Sequence, residues 1–281
     1  LMTGKIRVFL VAAALCGMVC LAAGPAGAEM YVEVYMGGVV PADASLTPVT
    51  ASSNAYYYSN ITSHIPGTLN PAFMGGLKIG TWFVREGFLG FNYPTWMKYF
   101  GFYLDFSYHR LNYDRQNLTF THTLIPRIEN GVTAVFSGPG EFWSNGHVAT
   151  LAFMFAGRYG FFPDAAVPFG RLQPYVAVGP ALIFARQAAS SMLYPYMFVC
   201  ATGGYGGSNA DSVVVAGLAV EAGVRWMALR NVSVDLSFKY RYAQPEFTYN
   251  KLDPFTGVYT KVSHRPDFNL FSGQIGAAYH F

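Results

Sequence analysis

From Glu29 onward, apolar and polar residues alternate at every second position, the period of a strand whose two faces meet different surroundings. In Tyr31–Met36, Val32, Val34 and Met36 share one face and Glu33 the other. Leu77, Ile79 and Phe83 oppose Lys78 and Gly80. Phe102, Leu104, Phe106 and Tyr108 oppose Tyr103, Asp105, Ser107 and His109, and Leu151, Phe153 and Phe155 oppose Ala152, Ala156 and Arg158. Val176, Val178 and Leu182 then alternate with Tyr175, Ala177 and Gly179, and Leu218, Val220, Val224 and Trp226 with Glu221, Gly223 and Arg225. The most regular stretch sets Val232, Val234, Leu236, Phe238 and Tyr240 against Ser233, Asp235, Ser237, Lys239 and Arg241. A last one sets Phe271, Ile275, Tyr279 and Phe281 against Ser272, Gln274 and His280. These stretches predict eight strands. Leu118–Ile125 also alternates, which leaves open ten strands, with this stretch as another strand or an extension.

Alternation suits a soluble sandwich as well as a transmembrane barrel. The two differ in which face carries what: a sandwich buries its apolar faces, while a barrel turns them to lipid and lines its interior with the polar ones. Here Gly76, Gly80, Gly101, Ala152, Ala177, Gly179, Gly223 and Gly276 share the polar face with the charges. A solvated face has no need of glycine and alanine, whereas the crowded inside of a narrow barrel does. The fold class expected is therefore all-β: an eight-stranded antiparallel up-and-down transmembrane β-barrel with long external loops. Long links are expected at about Pro41–Phe73, Leu111–Asn145, Gln187–Asp211 and Ala243–Pro266, alternating with short ones near Glu86–Trp96, Phe161–Gly170 and Met227–Asn231. Trp82, Phe91, Tyr93, Trp96, Tyr159, Phe161, Phe162 and Trp226 cluster at the short-turn end, as an aromatic girdle would.

Composition agrees with this picture and narrows it. Of 281 residues 52% are hydrophobic and only 12% charged, about half of the roughly 25% usual in soluble domains. So apolar a chain is not intrinsically disordered. Beyond the N-terminus no apolar run approaches the roughly 18–20 residues of a spanning helix. Residues 1–28 read as a cleaved signal peptide: Lys5 and Arg7, an apolar stretch from Val8 to Ala23, then Ala26-Gly27-Ala28 before Glu29. Cys16 and Cys20 follow Leu15 and Val19, not the small residues that lipoprotein processing requires. Cleavage lowers the formal charge from +3 to +1, so the basic balance does not point to nucleic acid. It also leaves Cys200 as the single cysteine of a mature barrel domain, residues 29–281.

The chain closes on Gly276-Ala277-Ala278-Tyr279-His280-Phe281, and it carries Gln173-Pro174-Tyr175-Val176-Ala177-Val178-Gly179 and Leu229-Arg230-Asn231-Val232-Ser233-Val234-Asp235-Leu236. With these segments it resembles the OmpA/OmpX-like outer-membrane β-barrel superfamily of Gram-negative bacteria, loosely and over the whole mature chain. The resemblance implies an outer-membrane location, with outer-membrane lipid around the wall. It further implies that Tyr279 and Phe281 serve as an assembly signal read by the barrel-insertion machinery.

Parity sends Glu33, Asp105, Glu221 and Asp235 into the interior with Lys78, Arg158, Arg225, Lys239 and Arg241, which reads as a cross-barrel ion-pair network. The expected function is a barrel with a side-chain-plugged lumen, acting structurally or through surface-loop interactions. A small ion or solute channel is the alternative. A lipid-modifying enzyme is a further one, with His109 near Ser107 and Asp105, and His147 and the adjacent Ser263-His264, as the residues to consider. The His-x-Ser-Asn pattern of the outer-membrane lipid A deacylases is absent. Gly203–Gly207 reads as a flexible loop and not a phosphate cradle. No cofactor or metal is expected, since six histidines and one mature cysteine show no ligand spacing. The protein is expected to be a monomer, with Tyr56, Tyr57, Tyr58, Phe142 and Trp143 available to a surface partner. The apolar stretch through Met192, Leu193, Tyr194, Tyr196 and Phe198 is a second possible contact or part of an extended hairpin.

Overall fold

A computed structural model describes residues 29–42, 49–65, 69–83, 93–128, 130–194, 205–252 and 259–281. The signal-peptide reading, Phe91 and Cys200 lie outside them. Among the described residues there are twelve strands, in chain order: β1 (Glu29–Pro41), β2 (Val49–Ser53), β3 (Tyr57–His64), β4 (Ala72–Trp82), β5 (Phe100–Pro126), β6 (Ala134–Arg158), β7 (Leu172–Leu193), β8 (Tyr205–Met227), β9 (Val232–Ala243), β10 (Phe247–Leu252), β11 (Tyr259–His264) and β12 (Phe268–His280).

Eight of these close a ring. β5, β4, β1, β12, β9, β8, β7 and β6 pair in that order, and the β5–β6 pairing returns to the start. Every pairing in the ring is antiparallel. A closed ring leaves no unpaired edge, which is what a lipid environment demands of a sheet. The eight alternating stretches of the sequence fall on these eight strands.

Leu118–Ile125 is not a separate strand. It is the upper part of β5, which runs for 27 residues, and β6, β7 and β8 run for 25, 22 and 23. A tilted strand crosses a bilayer in roughly 9–11 residues, so these four stand well clear of it. The segments expected as long loops are accordingly largely strand. Pro41–Phe73 contains β2 and β3, and Ala243–Pro266 contains β10 and β11. Tyr205–Gly207, read as loop, pairs with Leu193–Ser191 in the β7–β8 ladder. Threonine and tyrosine are at home in strands, but the outer face here lacks the apolar row that lipid demands, so the alternation fades although Phe120, Phe142, Phe247 and Tyr249 are buried inside.

These extra strands build a second tier above the ring. β3 pairs with the top of β5, β2 with β3, β11 with β2, and β10 with β11. The backbone N–H of Thr248 on β10 donates to Asp211 Oδ2 on β8 at 2.8 Å. The upper tier thus runs from β8 through β10, β11, β2 and β3 to β5, over the mouth of the barrel.

The other end is compact. A 3₁₀ turn at Thr95–Tyr99 leads into β5, and Phe161 bridges Leu172 at the foot of β6 and β7. Trp96, Phe100, Tyr159, Phe161, Phe162 and Trp226 are exposed there, with Tyr99 stacked on Tyr159 at 5.9 Å. Trp82, expected among them, is buried inside instead, because β4 points its even-numbered residues inward; its ring lies under the Arg158 guanidinium at 4.1 Å.

Candidate functional site

The wall and the interior have opposite characters. Val34, Phe106, Phe153, Phe155, Val178, Val220, Leu236, Phe238 and Ile275 are exposed on the outside of the ring. Inside, Glu33, Lys78, Asp105, Glu221, Arg225, Asp235, Lys239 and Arg241 are buried. Register already sets opposite charges side by side: Glu33 faces Lys78 and Lys78 faces Asp105, while Glu221 faces Lys239 and Arg225 faces Asp235.

Across the lumen the contacts are ionic. Lys78 donates to Glu33 Oε1 at 2.8 Å and to Glu221 Oε1 at 2.7 Å. Arg225 donates to Glu33 Oε2 at 2.6 Å and lies 3.3 Å from Asp235 Oδ2. Lys239 contacts Asp105 and stands 3.2 Å from Glu221 Oε2. Buried charges are tolerable only when paired and hydrogen-bonded, and each of these carboxylates has at least two partners.

Several of those partners were not singled out in the sequence. The Tyr35 hydroxyl donates to Asp105 Oδ1 at 2.5 Å, and Tyr103 to Glu221 Oε2 at 3.0 Å. The Tyr175 hydroxyl lies 2.7 Å from Glu221 Oε1 and 2.8 Å from Asp235 Oδ1. Gln274 Nε2 adds a bond to Glu221 Oε1 at 3.1 Å. Parity alone could have found them, since tyrosines 103 and 175 fall on the charged face. Glycine makes room for the rings: a Cβ on Gly223 would come within 2.7 Å of the Tyr175 ring, and one on Gly80 within 2.9 Å of Tyr31.

Two of the nine predicted interior residues stand apart from this cluster. Arg158 pairs with Glu29 at 2.5 Å near the short-turn end, where it also donates to Gln173 Oε1 at 3.0 Å. Arg241 has no carboxylate within 4.0 Å among the described residues. It donates to Ser107 Oγ at 2.7 Å and to Ser272 Oγ at 3.4 Å, with Met74 Sδ at 2.9 Å. Above it the interior turns apolar, through Val39, Leu111, Val148, Ile183, Leu270 and Phe268.

Of the residues considered for catalysis, Asp105, Ser107 and His109 share the inward face, but Asp105 is taken by Tyr35 and Lys239 and Ser107 accepts from Arg241, while the pleat separates the others. His109 points inward, its Nδ1 2.9 Å from the carbonyl of Arg110, whereas His147 is on the wall against Tyr108 at 5.8 Å. Ser263 is exposed beside Thr248, while His264 is buried against Gln187 Oε1 at 3.1 Å. A Ser–His–Glu sequence of contacts does occur at the short-turn end: Ser233 Oγ lies 2.9 Å from His280 Nε2, and His280 Nδ1 lies 3.8 Å from Glu29. The second distance is too long for a hydrogen bond, and Ser233 is wholly buried. Phe142, one of the residues available to a partner in the sequence, packs inward against Tyr113 at 5.8 Å. Tyr279 is exposed on the wall, 5.1 Å from the ring of Phe281.

A closed antiparallel ring, an apolar exposed wall, an aromatic rim and a charged interior together define an outer-membrane β-barrel protein. No family model matches the chain, and no curated protein matches it. Among solved structures it is similar to the outer-membrane protein OprG from Pseudomonas aeruginosa, at 13% identity and a TM-score of 0.41 over 90% of this chain and 96% of that one. It is also similar to the outer-membrane protease OmpT from Escherichia coli, at 11% identity and a TM-score of 0.41 over 90% and 97% of the two chains. Neisserial surface protein A gives 12% identity and a TM-score of 0.33 over 91% and 99%.

Proposed function

We propose that this protein is a monomeric, non-enzymatic barrel whose lumen is plugged by its own side chains, and that it acts structurally or through its external tier at the cell surface. The observation that carries this reading is the bridge from Lys78 to Glu221, which joins opposite walls through the middle of the lumen. An eight-stranded ring encloses space just wide enough for side chains to fill. The four large aromatic rings of Tyr31, Tyr35, Tyr103 and Tyr175 share that space with the ion pairs, and all four are buried.

What remains for a partner is the outside of the upper tier. Tyr56, Tyr57 and Tyr58 are exposed at the start of β3, next to Ile125, Ile128, Val132 and Val135 at the β5–β6 tip. Arg127 lies over the Tyr58 ring at 4.2 Å. Exposed apolar and aromatic residues gathered at one place mark a contact surface more often than scattered ones do.

Osmotic swelling of proteoliposomes tests the closed lumen. Vesicles carrying the refolded mature protein are expected to swell in small sugars no faster than protein-free ones. Swelling that scales with the amount of folded protein would replace this reading with a channel.

A further inference from the structure

The exterior of β5 to β8 changes character at one row. Reading around the wall, Tyr108, Ala149, Phe184 and Val214 stand side by side in register. The next outward row is Arg110, His147, Arg186 and Ser212, and the one above it is Asn112, Asn145, Ala188 and Ala210. The wall therefore passes from an apolar row, through one with two arginines, to an uncharged row of asparagine and alanine within two pleats.

That row lies one membrane thickness from the aromatic rim. From Phe100 to Arg110 on β5, and from Val176 to Arg186 on β7, the separation matches the roughly 9–11 residues of a bilayer-crossing strand. It falls where the headgroups of the outer leaflet would stand.

Folding does not account for it. Arg110, His147 and Arg186 are in direct register on β5, β6 and β7, so the row carries two guanidinium groups on either side of an imidazole and no acidic residue among its four members. Both arginines are exposed, and neither joins an ion pair among the described residues, where the arginine pairs involve Arg115, Arg158, Arg171, Arg225 and Arg265. Glu141 stands higher on β6 and is engaged by Arg115 at 3.4 Å. Neighbouring strands are about 4.8 Å apart, so the two guanidinium groups flank the imidazole within the reach of one phosphate group.

We infer that Arg110, His147 and Arg186 form a phosphate-binding row on the barrel wall, occupied by the phosphorylated headgroup of an outer-leaflet lipid. Guanidinium groups take phosphate through paired N–H donors, and the apolar row beneath, with Phe184 and Tyr108, meets the acyl chains. The inference rests on the outer-membrane reading above.

The test uses the full mature chain refolded in neutral maltoside micelles and titrated with diphosphorylated lipid A, with bound lipid counted by native mass spectrometry. The wild-type protein is expected to hold the lipid, and Arg110→Gln/Arg186→Gln to weaken it about thirtyfold. Arg186→Gln alone, the milder variant, is expected to weaken it about fivefold. Equal binding by folded wild-type and variant proteins overturns the inference, as does displacement of the lipid by millimolar inorganic phosphate, which would assign the row to a free anion. A wild-type protein that stays water-soluble without detergent would instead overturn the membrane reading beneath it.

Discussion

Lys78 Nζ lies 2.7 Å from Glu221 Oε1, although their strands, β4 and β8, stand on opposite walls of the ring. One lysine side chain spans the gap because the barrel has the smallest common strand number and its interior face is thinned by glycine. Glu33 shares the same ammonium at 2.8 Å, so Lys78 neutralises two carboxylates from two directions. Arg225 and Lys239 are arranged around that centre, whereas Arg158 pairs with Glu29 near the short-turn end and Arg241 is held by hydroxyls and a thioether.

This difference predicts opposite outcomes for two similar substitutions. Lys78→Met leaves Glu33 and Glu221 short of a partner and is expected to cost about 3–5 kcal/mol. Arg241→Met removes a buried cation with no carboxylate within 4.0 Å among the described residues, and stability is expected to stay within about 1 kcal/mol of wild type or to rise. Urea unfolding in lipid vesicles, followed by tryptophan fluorescence, compares the two.

Interior glycines are predicted to be sensitive and exterior ones tolerant. A Cβ on Gly223 would meet Ser237 Cβ at 2.6 Å and the Tyr175 ring at 2.7 Å, whereas one on Gly273 would meet nothing within 4 Å. Gly223→Ala is expected to cost about 1–3 kcal/mol through overpacking, and Gly273→Ala to be neutral. The fraction of folded, heat-modifiable protein on a gel reads both.

The wall makes its own prediction. Leu236 is 65% exposed, and an arginine there would be nearly neutral on a water-facing surface. Facing lipid near the midplane, Leu236→Arg is expected to cost about 2–4 kcal/mol. Equilibrium unfolding in vesicles of the two proteins decides between water and lipid.

Acid is expected to loosen the upper tier. Burial lowers His264 from the ordinary value near 6.5 to about 4, with Asp211 opposing the shift. The unfolded segment therefore binds a proton at a higher pH than the folded one. Stability from the neutral ring is full above pH 6.5 and declines as pH falls toward 4, by about 3 kcal/mol at most. Amide exchange in β10 and β11, corrected for its intrinsic pH dependence, should accelerate over that window, and His264→Gln should remove the acceleration.

The ring was legible because lipid enforces contrast. Val234, Leu236 and Phe238 had to be apolar outside while Asp235, Ser237 and Lys239 were free to be polar inside, and the period of two stands out. Above the membrane the outer face is no longer held apolar, and β2, β3, β10 and β11 pass for loops although Phe247 and Tyr249 on β10 are buried. Parity placed the charges but could not say which would meet, because Lys78 and Glu221 are joined by ring closure and not by sequence spacing. It likewise missed Glu29, which lies at the very start of β1 and partners Arg158. Trp82 went to the wrong face because its aromatic type suggested a rim, although its parity with Lys78 pointed inward.

Single-channel recording in planar bilayers tests the central claim most directly, with the wild-type protein beside Glu221→Gln/Arg225→Gln. The account predicts that the folded wild-type protein passes no steady current, because Lys78, Glu221 and the surrounding tyrosines close the lumen. Steady openings of the wild-type protein whose conductance changes in the double variant would contradict it and make the same residues the lining of a pore.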